Sequence, residues 1–440
     1  MKIKRWIGVL LCMLLCVGML PTMAFAAEDY KVLVGGVWIT SDNANDVLGD
    51  GSVIYDKESN TVTLNNANLR GNIYCQTDSA LNIVINGFNT MSCTGATGIS
   101  NSGNHPINIS GSGMLTITVE LTNGNAISGN DITIDGTTLK LSTSDTALSG
   151  YPLTLKNGAN VFVELSKGSR SVAVEGGIVE IIDSTLTATS PLCNSITGDS
   201  IKIVNSNVTG IGYYSLMSYS GDITIIDSTV NATATADWGI WSNGDLLIKG
   251  NSDVTVTGSK AAIGVANSFI LEPATGELID VFAGVDKDNA PAIGNSPLSQ
   301  KTDLGAYGND SIKYFRSAPH KLPPKITAGN GVAVTQGENT ELTFTSDASF
   351  DEFLRVEFDG TTLEEKNYTK KKGSTIITLN RDFVATLSGG DHTLAIVSQH
   401  GTATAKFTVK AKSAETTTPQ PTVTPQPTET PQPTETPQPT

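Results

Sequence analysis

The sequence predicts an all-β protein in two parts: a right-handed parallel β-helix of about 23 residues per rung, then an immunoglobulin-like β-sandwich. Three observations carry this. Short alternating strands recur along residues 61–318 with nearly one spelling, five further strands separated by glycine turns occupy the 90 residues after them, and the composition disfavours helices. Only 16% of residues are charged and 43 of 440 are glycine, where an average domain carries roughly 25% charge. Ser, Thr, Asn and Gly dominate over the Lys, Glu and Leu that build helices.

The first 26 residues read as an export leader. Lys2, Lys4 and Arg5 precede an apolar run from Trp6 to Leu20, and Ala24-Phe25-Ala26 supplies a small-x-small cleavage site. No later apolar run approaches the ~18 residues of a membrane span, so the mature chain is expected to be soluble and extracellular. Its net charge of −15 deepens when the basic leader is lost. That balance argues against nucleic acid or an anionic membrane as partner. Cys12 and Cys16 leave with the leader. Cys75, Cys93 and Cys193 remain, without CxxC or Cys/His spacing for zinc. Cys75 and Cys93 can either pair in an oxidising space or stay as buried thiols.

Residues 27–60 are expected to cap the open end of the coil, with strands at Val32–Ile39 and Gly51–Tyr55 and Trp38 in the cap's core. The coil follows. Val62-Thr-Leu-Asn-Asn-Ala-Asn-Leu69, Ile132-Thr-Ile-Asp-Gly-Thr-Thr-Leu139, Val179-Glu-Ile-Ile-Asp-Ser-Thr-Leu186, Ile201-Lys-Ile-Val-Asn-Ser-Asn-Val208 and Ile223-Thr-Ile-Ile-Asp-Ser-Thr-Val230 are variants of one unit. With longer or weaker copies at Ile83, Ile107, Leu153 and Leu246, the starts step by 23 residues on average. A period of this size without helices indicates a solenoid. A propeller blade needs about 40 residues, and leucine-rich repeats need a spelling that is absent. Strand alternation sends Ile132/Ile134, Val179/Ile181, Ile201/Ile203 and Ile223/Ile225 inward and Thr133, Thr154, Glu180, Lys202 and Thr224 outward. A second signature precedes many units: Ala126-Ile127, Ala147-Leu148, Ala173-Val174, Ser195-Ile196, Gly239-Ile240 and Ala292-Ile293. Asp183, Asn205 and Asp227 hold one register at the bend. An intervening Asn keeps two carboxylates from stacking at about 4.8 Å, and such residues commonly hydrogen-bond the turn backbone.

Residues 323–412 have the size and strand spacing of an immunoglobulin-like sandwich, with strands at 341–344, 353–358, 374–379, 392–397 and 404–409. Lys370-Lys371-Lys372 reads as a basic loop tip. Residues 413–440, with eight Pro and ten Thr, are expected to form an extended, disordered spacer. It stops in mid-repeat, leaving room for an anchor or a further domain.

Gly373-Ser-Thr-Ile-Ile-Thr-Leu-Asn-Arg-Asp-Phe-Val-Ala-Thr-Leu387, Gly390-Asp-His-Thr-Leu394 and Gly401-Thr-Ala-Thr-Ala-Lys-Phe-Thr-Val409 resemble the X2 immunoglobulin-like modules of Gram-positive extracellular proteins. The opening Val34-Gly-Gly-Val-Trp-Ile-Thr-Ser41, then Thr61-Val-Thr-Leu-Asn-Asn-Ala67 and the coil, resemble β-helical surface proteins of gut clostridia. Those are described as carbohydrate-binding, with pectate-lyase-like folds. The resemblance implies a secreted or cell-surface protein that binds polysaccharide or cell-wall glycan.

Three function classes remain: a non-catalytic carbohydrate binder, a stalk or adhesin with a protein partner, and a polysaccharide lyase or hydrolase. The last finds little support. Hydrolysis needs carboxylates converging on one bond, and the Gly-His-Gly of related hydrolases is missing. Arg70, Arg170 and Arg316 lie four to six rungs apart, too far to serve one lyase site. Asp222 and Asp245 precede their strands on neighbouring rungs, with Asp131 in the same register further off, and form a candidate Ca²⁺ pair. The other reading is two solvated Gly-Asp turns. Trp241 follows inward Ile240, in a register that elsewhere holds Ser128, Ser149, Glu175 and Thr197. It is therefore expected to face outward, with Met217 one rung before it. Leu247 replaces an outward polar residue, so Met217, Trp241 and Leu247 form the candidate ligand-binding patch. Tyr214 and Trp238, by parity, are expected inside.

Overall fold

In a computed structural model, residues 26–412 are described, apart from 96, 104, 121–123, 167 and 400. The leader through residue 25 and the 413–440 spacer lie outside the described residues. The chain divides between His320 and Lys321 into two compact units.

The first unit is a parallel β-helix with three sheets, of 11, 12 and 11 strands, here sheets A, B and C. Each rung contributes one strand to each sheet in the order A, B, C. The repeating octets of the sequence are the B strand, its bend and the start of the C strand. In sheet B, Leu81, Ile107, Ile132, Leu153, Val179, Ile201, Ile223, Leu246 and Phe269 stack as successive Cα partners. All are buried, and each such side chain contributes about 1.5–3 kcal/mol by leaving water. Thr133, Thr154, Glu180, Lys202 and Thr224 form the outward column beside them, where Lys202 Nζ lies 3.2 Å from Glu180.

The register corrects the sequence reading in three places. Val62 partners Ile83, but Ile83 faces Ile109 rather than Ile107. The slip is two residues, so the period of two keeps every side chain on its expected face. The second signature forms sheet A, where Ile127, Leu148, Val174, Ile196, Leu216, Ile240 and Ile263 stack. Its last member is thus Ala262-Ile263, whereas Ile293 donates its amide to Val281 in an antiparallel stretch. A two-residue motif is too short to exclude such a coincidence.

The third correction concerns the cap. Asp29–Val34 runs antiparallel to Val37–Thr40 and to Ile73–Cys75, and Val53–Asp56 antiparallel to Thr61–Asn65. Ile39 is fully buried, and Trp38, one residue away on the opposite face, is 44% exposed. At the other end Tyr314–Pro319 runs antiparallel between Asp253–Thr257 and Ile279–Gly284. Reversed strands thus cover the first edges of sheets A and B and the last edge of sheet C, where open ladder edges would otherwise recruit other chains.

Two polar columns hold the bend between sheets B and C. Asn157, Asp183, Asn205 and Asp227 adopt left-handed φ of 55°, 49°, 46° and 47°, a conformation that short Asx side chains tolerate. Asn205 donates to Asp183 at 2.5 Å, and Asp227 accepts the Asn251 amide at 2.9 Å. Immediately after them runs a buried column that the sequence reading missed: Ser184, Ser206, Ser228 and Ser252. Each of the first three receives the next rung's Ser Oγ as acceptor for its amide, at 3.0, 3.1 and 3.3 Å. The hydroxyls then donate to backbone carbonyls of their own turns.

The second unit is a sandwich of a four-stranded and a five-stranded sheet. All five expected strands form, with four short strands and a helix, Arg381–Ala385, besides. Phe344, Val356, Ile377, Leu379, Leu394, Ile396 and Phe407 fill the core, giving an immunoglobulin-like fold. Lys370 and Lys371 belong to an edge strand rather than a loop tip, and Lys370 pairs with Glu365 at 2.7 Å. His392 is buried between Phe358 and Phe407. Its Nδ1 lies 2.7 Å from Asp359 and its Nε2 2.9 Å from the Ser388 carbonyl. Burial pulls the imidazole pKa down, but these two acceptors outweigh it and raise the pKa. Burial likewise opposes Asp359, whose pKa is nonetheless lowered by the Thr393 amide and His392.

Two predictions follow from these contacts. Ser206→Ala leaves the Ser184 amide without its acceptor and should cost about 1–3 kcal/mol in urea unfolding, whereas Ser220→Ala, in an exposed turn, should change stability by less than about 0.5 kcal/mol. For the sandwich, the His392 contribution is complete below the unfolded pKa of about 6.5 and is lost as pH rises through the raised folded value. The Asp359 contribution is complete above about 3.9 and is lost as pH falls through the lowered value. Calorimetry should therefore find the sandwich most stable between these limits, and His392→Gln should remove the alkaline decline.

Candidate functional site

Most sheet A strands are only three residues long, so a single outward side chain per rung marks the face. That column reads Ser149, Glu175, Thr197, Met217, Trp241 and Gly264. Met217 and Trp241 are direct partners, outward and half-buried. Leu247 also points outward, but from sheet B, between Thr224 and Ile270. The expected patch is therefore split, with Met217 and Trp241 on one face and Leu247 on the next. Parity assigns a side chain to inside or outside; it does not assign the sheet.

Gly264 makes room for Trp241. A Cβ on it would lie 2.5 Å from Trp241 Cε3 and 2.7 Å from Trp238 Cε3. The indole is thus folded along the coil axis onto the next rung. Its Nε1 donates to Asn243 Oδ1 at 3.1 Å, and Asn243 donates to the Tyr219 carbonyl at 2.7 Å. Asn194 Nδ2 reaches Met217 Sδ at 3.5 Å.

Trp238 is buried, as expected, whereas Tyr214 departs from the expectation that it stacks inside. The Trp238 ring lies 5.3 Å from Trp241 and beneath the Lys260 ammonium, 5.1 Å away. Lys260 also sits 3.8 Å from Asp237. Tyr214 is half-buried, donates to Asp237 Oδ2 at 3.0 Å and packs beside Tyr213. Burial, and then the Asp237 carboxylate, push its hydroxyl to about 12. Tyr214 stands where the chain turns from sheet C into sheet A, and the period of two fails at that corner; Trp238 opens the sheet A strand Trp238–Ser242, where its parity with Ile240 holds.

The opposite rim carries Tyr151 and Tyr219, 46% and 41% exposed. Tyr151 lies over Gly177, whose Cβ would sit 3.3 Å from Tyr151 Cδ1 and 3.7 Å from Asp199 Oδ2. Its hydroxyl is raised to about 12 by burial, then by the Glu175 carboxylate beside it. Sequence reasoning missed Tyr151, Tyr213 and Tyr219 because each lies in a turn. A large aromatic among Gly, Ser and Pro is the signal that was available.

Asp222 and Asp245 form a backbone ladder. Asp222 Oδ1 accepts the Asp245 amide at 2.8 Å, and Asp245 Oδ1 accepts the Ser268 amide at 2.9 Å. Among the described residues no group of three or more His, Cys, Asp or Glu gathers as a metal site. Cys75 and Cys93 are buried free thiols, Cys93 raised to about 11 by burial, and Cys193 is half-buried and free.

No protein-family model matches the chain, and no curated protein matches it. Solved structures that resemble part of it include a chimeric titin Z1Z2 functionalized with an exogenous peptide from decorin, at 16% identity over 20% of this chain and 95% of that one, TM-score 0.17. The twitchin kinase region from C. elegans matches at 20% identity over 22% and 18% of the two chains, and titin Z1Z2 in complex with telethonin at 14% over 38% and 92%, each with a TM-score of 0.17. At these scores the likenesses carry no argument about function.

The glycine beneath Trp241 offers a direct test of the packing. Gly264→Ala should lift the indole from the rung, raising its accessibility to acrylamide quenching and costing about 1–3 kcal/mol in urea unfolding.

Proposed function

We propose that the chain is an exported, non-catalytic carbohydrate-binding protein of the cell surface or its surroundings, whose coil meets polysaccharide or cell-wall glycan through the outward face of sheet A. The observation that carries this reading is the strip of aromatic side chains along that face: half-buried Trp241 in contact with the buried Trp238 ring, Tyr213 and Tyr214 at one rim, Tyr151 and Tyr219 at the other. Flat rings with an apolar body and a polar edge suit the two sides of a sugar, whose C–H face packs on the ring while its hydroxyls reach amides and carboxylates. Asn194 and Asn243 stand among these rings and supply such partners.

The basic leader, the acidic charge and the X2-type likeness of the sandwich support an extracellular setting. The sandwich then serves as a second module in contact with wall polymer. A non-catalytic role fits the engagement of Lys260 by Asp237 and the Trp238 ring, which leaves it poorly placed as a proton-abstracting base.

The experiment is a pull-down on soluble and insoluble polysaccharides with product release read in parallel. Binding without release is expected, and Trp241→Ala should weaken it about tenfold, a loss of ~1.4 kcal/mol, at an unchanged circular dichroism spectrum. Retention on no glycan would remove this reading and favour a stalk or adhesin with a protein partner. Product release would instead favour a lyase or hydrolase.

A further inference from the structure

The sheet A face holds two sets of rings with carboxylates, and they differ in one respect. At the first, Asp237 and the Trp238 ring share the ammonium of Lys260, at 3.8 Å and 5.1 Å. A cation between a carboxylate and an aromatic face gains from both the charge and the ring quadrupole. At the second, Tyr151 and Tyr219 accompany Glu175 and Asp199, and each of these four groups influences the Tyr151 hydroxyl or is that residue itself. Tyr151 and Asp199 crowd one point above Gly177. Among the described residues, neither Glu175 nor Asp199 forms an ion pair with a lysine, arginine or histidine. The second set therefore repeats the ring and the carboxylates and lacks the cation.

Two further observations place polar demand on the same face. Thr197 stands between Glu175 and Met217 in the outward column, fully buried, and its hydroxyl has no hydrogen-bond partner. Asp237 Oδ1 is buried without a hydrogen bond and meets only the Lys260 ammonium, 3.8 Å away. The turns that lead from sheet A to sheet B carry negative charge: Asp131, Asp222 and Asp245 lie at the same turns as Asp199, in a chain of net charge −15. A polyuronate would meet repulsion along this strip, whereas a polycation would be drawn to it. From the Tyr151 rung to the Tyr219 rung is three steps of about 4.8 Å, a length of about 14 Å that accommodates a short run of linked sugars.

We propose that this face binds an amino-sugar polysaccharide, its rings stacked on Tyr151 and Tyr219 and its protonated amino groups received by Glu175 and Asp199. The assignment rests on the carbohydrate-binding reading above and names the ligand class. An ammonium of the glycan takes the place at Glu175 and Asp199 that Lys260 takes at Asp237. N-acetylation removes that charge and with it the preference.

Titration calorimetry of the full mature chain at about pH 6, where free amino groups of the sugar are charged, tests it with three probes: glucosamine tetrasaccharide, N-acetylglucosamine tetrasaccharide and tetragalacturonate. The free-amine tetramer should bind at least about tenfold more tightly than the acetylated one. Glu175→Gln with Asp199→Asn should abolish most of that difference, up to about fivefold for each carboxylate, with the melting temperature confirming the fold. Equal affinity for the two glucosamine probes, or a preference for tetragalacturonate, overturns the amino-sugar assignment while leaving carbohydrate binding intact. Failure of all three probes together with retention on other polysaccharides also overturns the assignment alone. Failure on every glycan removes both.

Discussion

Stacking at a fixed spacing is the constraint on which this coil depends. Each rung places its residues about 4.8 Å from their counterparts, so a choice made at one position is repeated as a column. Aliphatic columns gain from that repetition, and like charges lose. Where the B–C bend needs a short polar residue in the left-handed region, Asp183 and Asp227 flank Asn205, whose amide donates to the Asp183 carboxylate. Where acid and base occur in the outward column of sheet B they are neighbours, Glu180 and Lys202. The serine column solves a harder version of the problem, because a buried amide beyond the reach of a ladder carbonyl would be costly. Ser Oγ both accepts from the rung before and donates to its own turn, and so satisfies two groups.

The same spacing explains where large side chains go. A residue too large to stand in its column lies along the axis, and the next rung must then yield. Trp241 lies on Gly264, Tyr151 on Gly177, Asp227 on Gly250, Asp222 on Gly244 and Asn66 on Gly87; in each case a Cβ on the glycine would meet the preceding rung's side chain at 3.3 Å or less. At Gly250 and Gly87, φ of 67° and 68° adds a conformational reason for glycine. At Gly264 and Gly177 space is the reason, which ties those glycines to the aromatic face.

This distinction also separates what the sequence disclosed from what it withheld. The coil, its period, its inward columns and the five main strands of the sandwich were legible because period-two alternation repeated over many rungs leaves few alternatives. The outward position of Trp241 and Met217 was legible for the same reason. Trp38 shows the rule failing through neglect: alternation with Ile39 was visible, but a tryptophan invites the assumption of burial. Leu247 and Tyr214 show its true limit. Two outward residues share a face only if they share a sheet, and near a corner neither sheet nor parity is defined by neighbours in sequence. The turn tyrosines needed three-dimensional register, since residues 151, 213 and 219 meet one face only after successive rungs are stacked.

The narrowness of sheet A gives this face its character. Strands in sheets B and C run four to six residues through most of the coil, presenting broad surfaces with two or more outward columns. In the middle rungs the sheet A strands Leu148–Gly150, Val174–Gly176, Ile196–Gly198 and Leu216–Ser218 present one column each. Turns border that column closely on both sides, so residues freed from strand alternation stand beside it. A single-residue column can offer little chemistry of its own. Its neighbouring turns supply Tyr151, Asp199 and Tyr219 on one side and Tyr213, Tyr214, Asp237 and Lys260 on the other. Substitutions in those turns leave the aliphatic columns untouched, and that freedom lets one sheet of a repetitive coil carry aromatic and charged groups that the other two, bound to longer ladders, accommodate less readily.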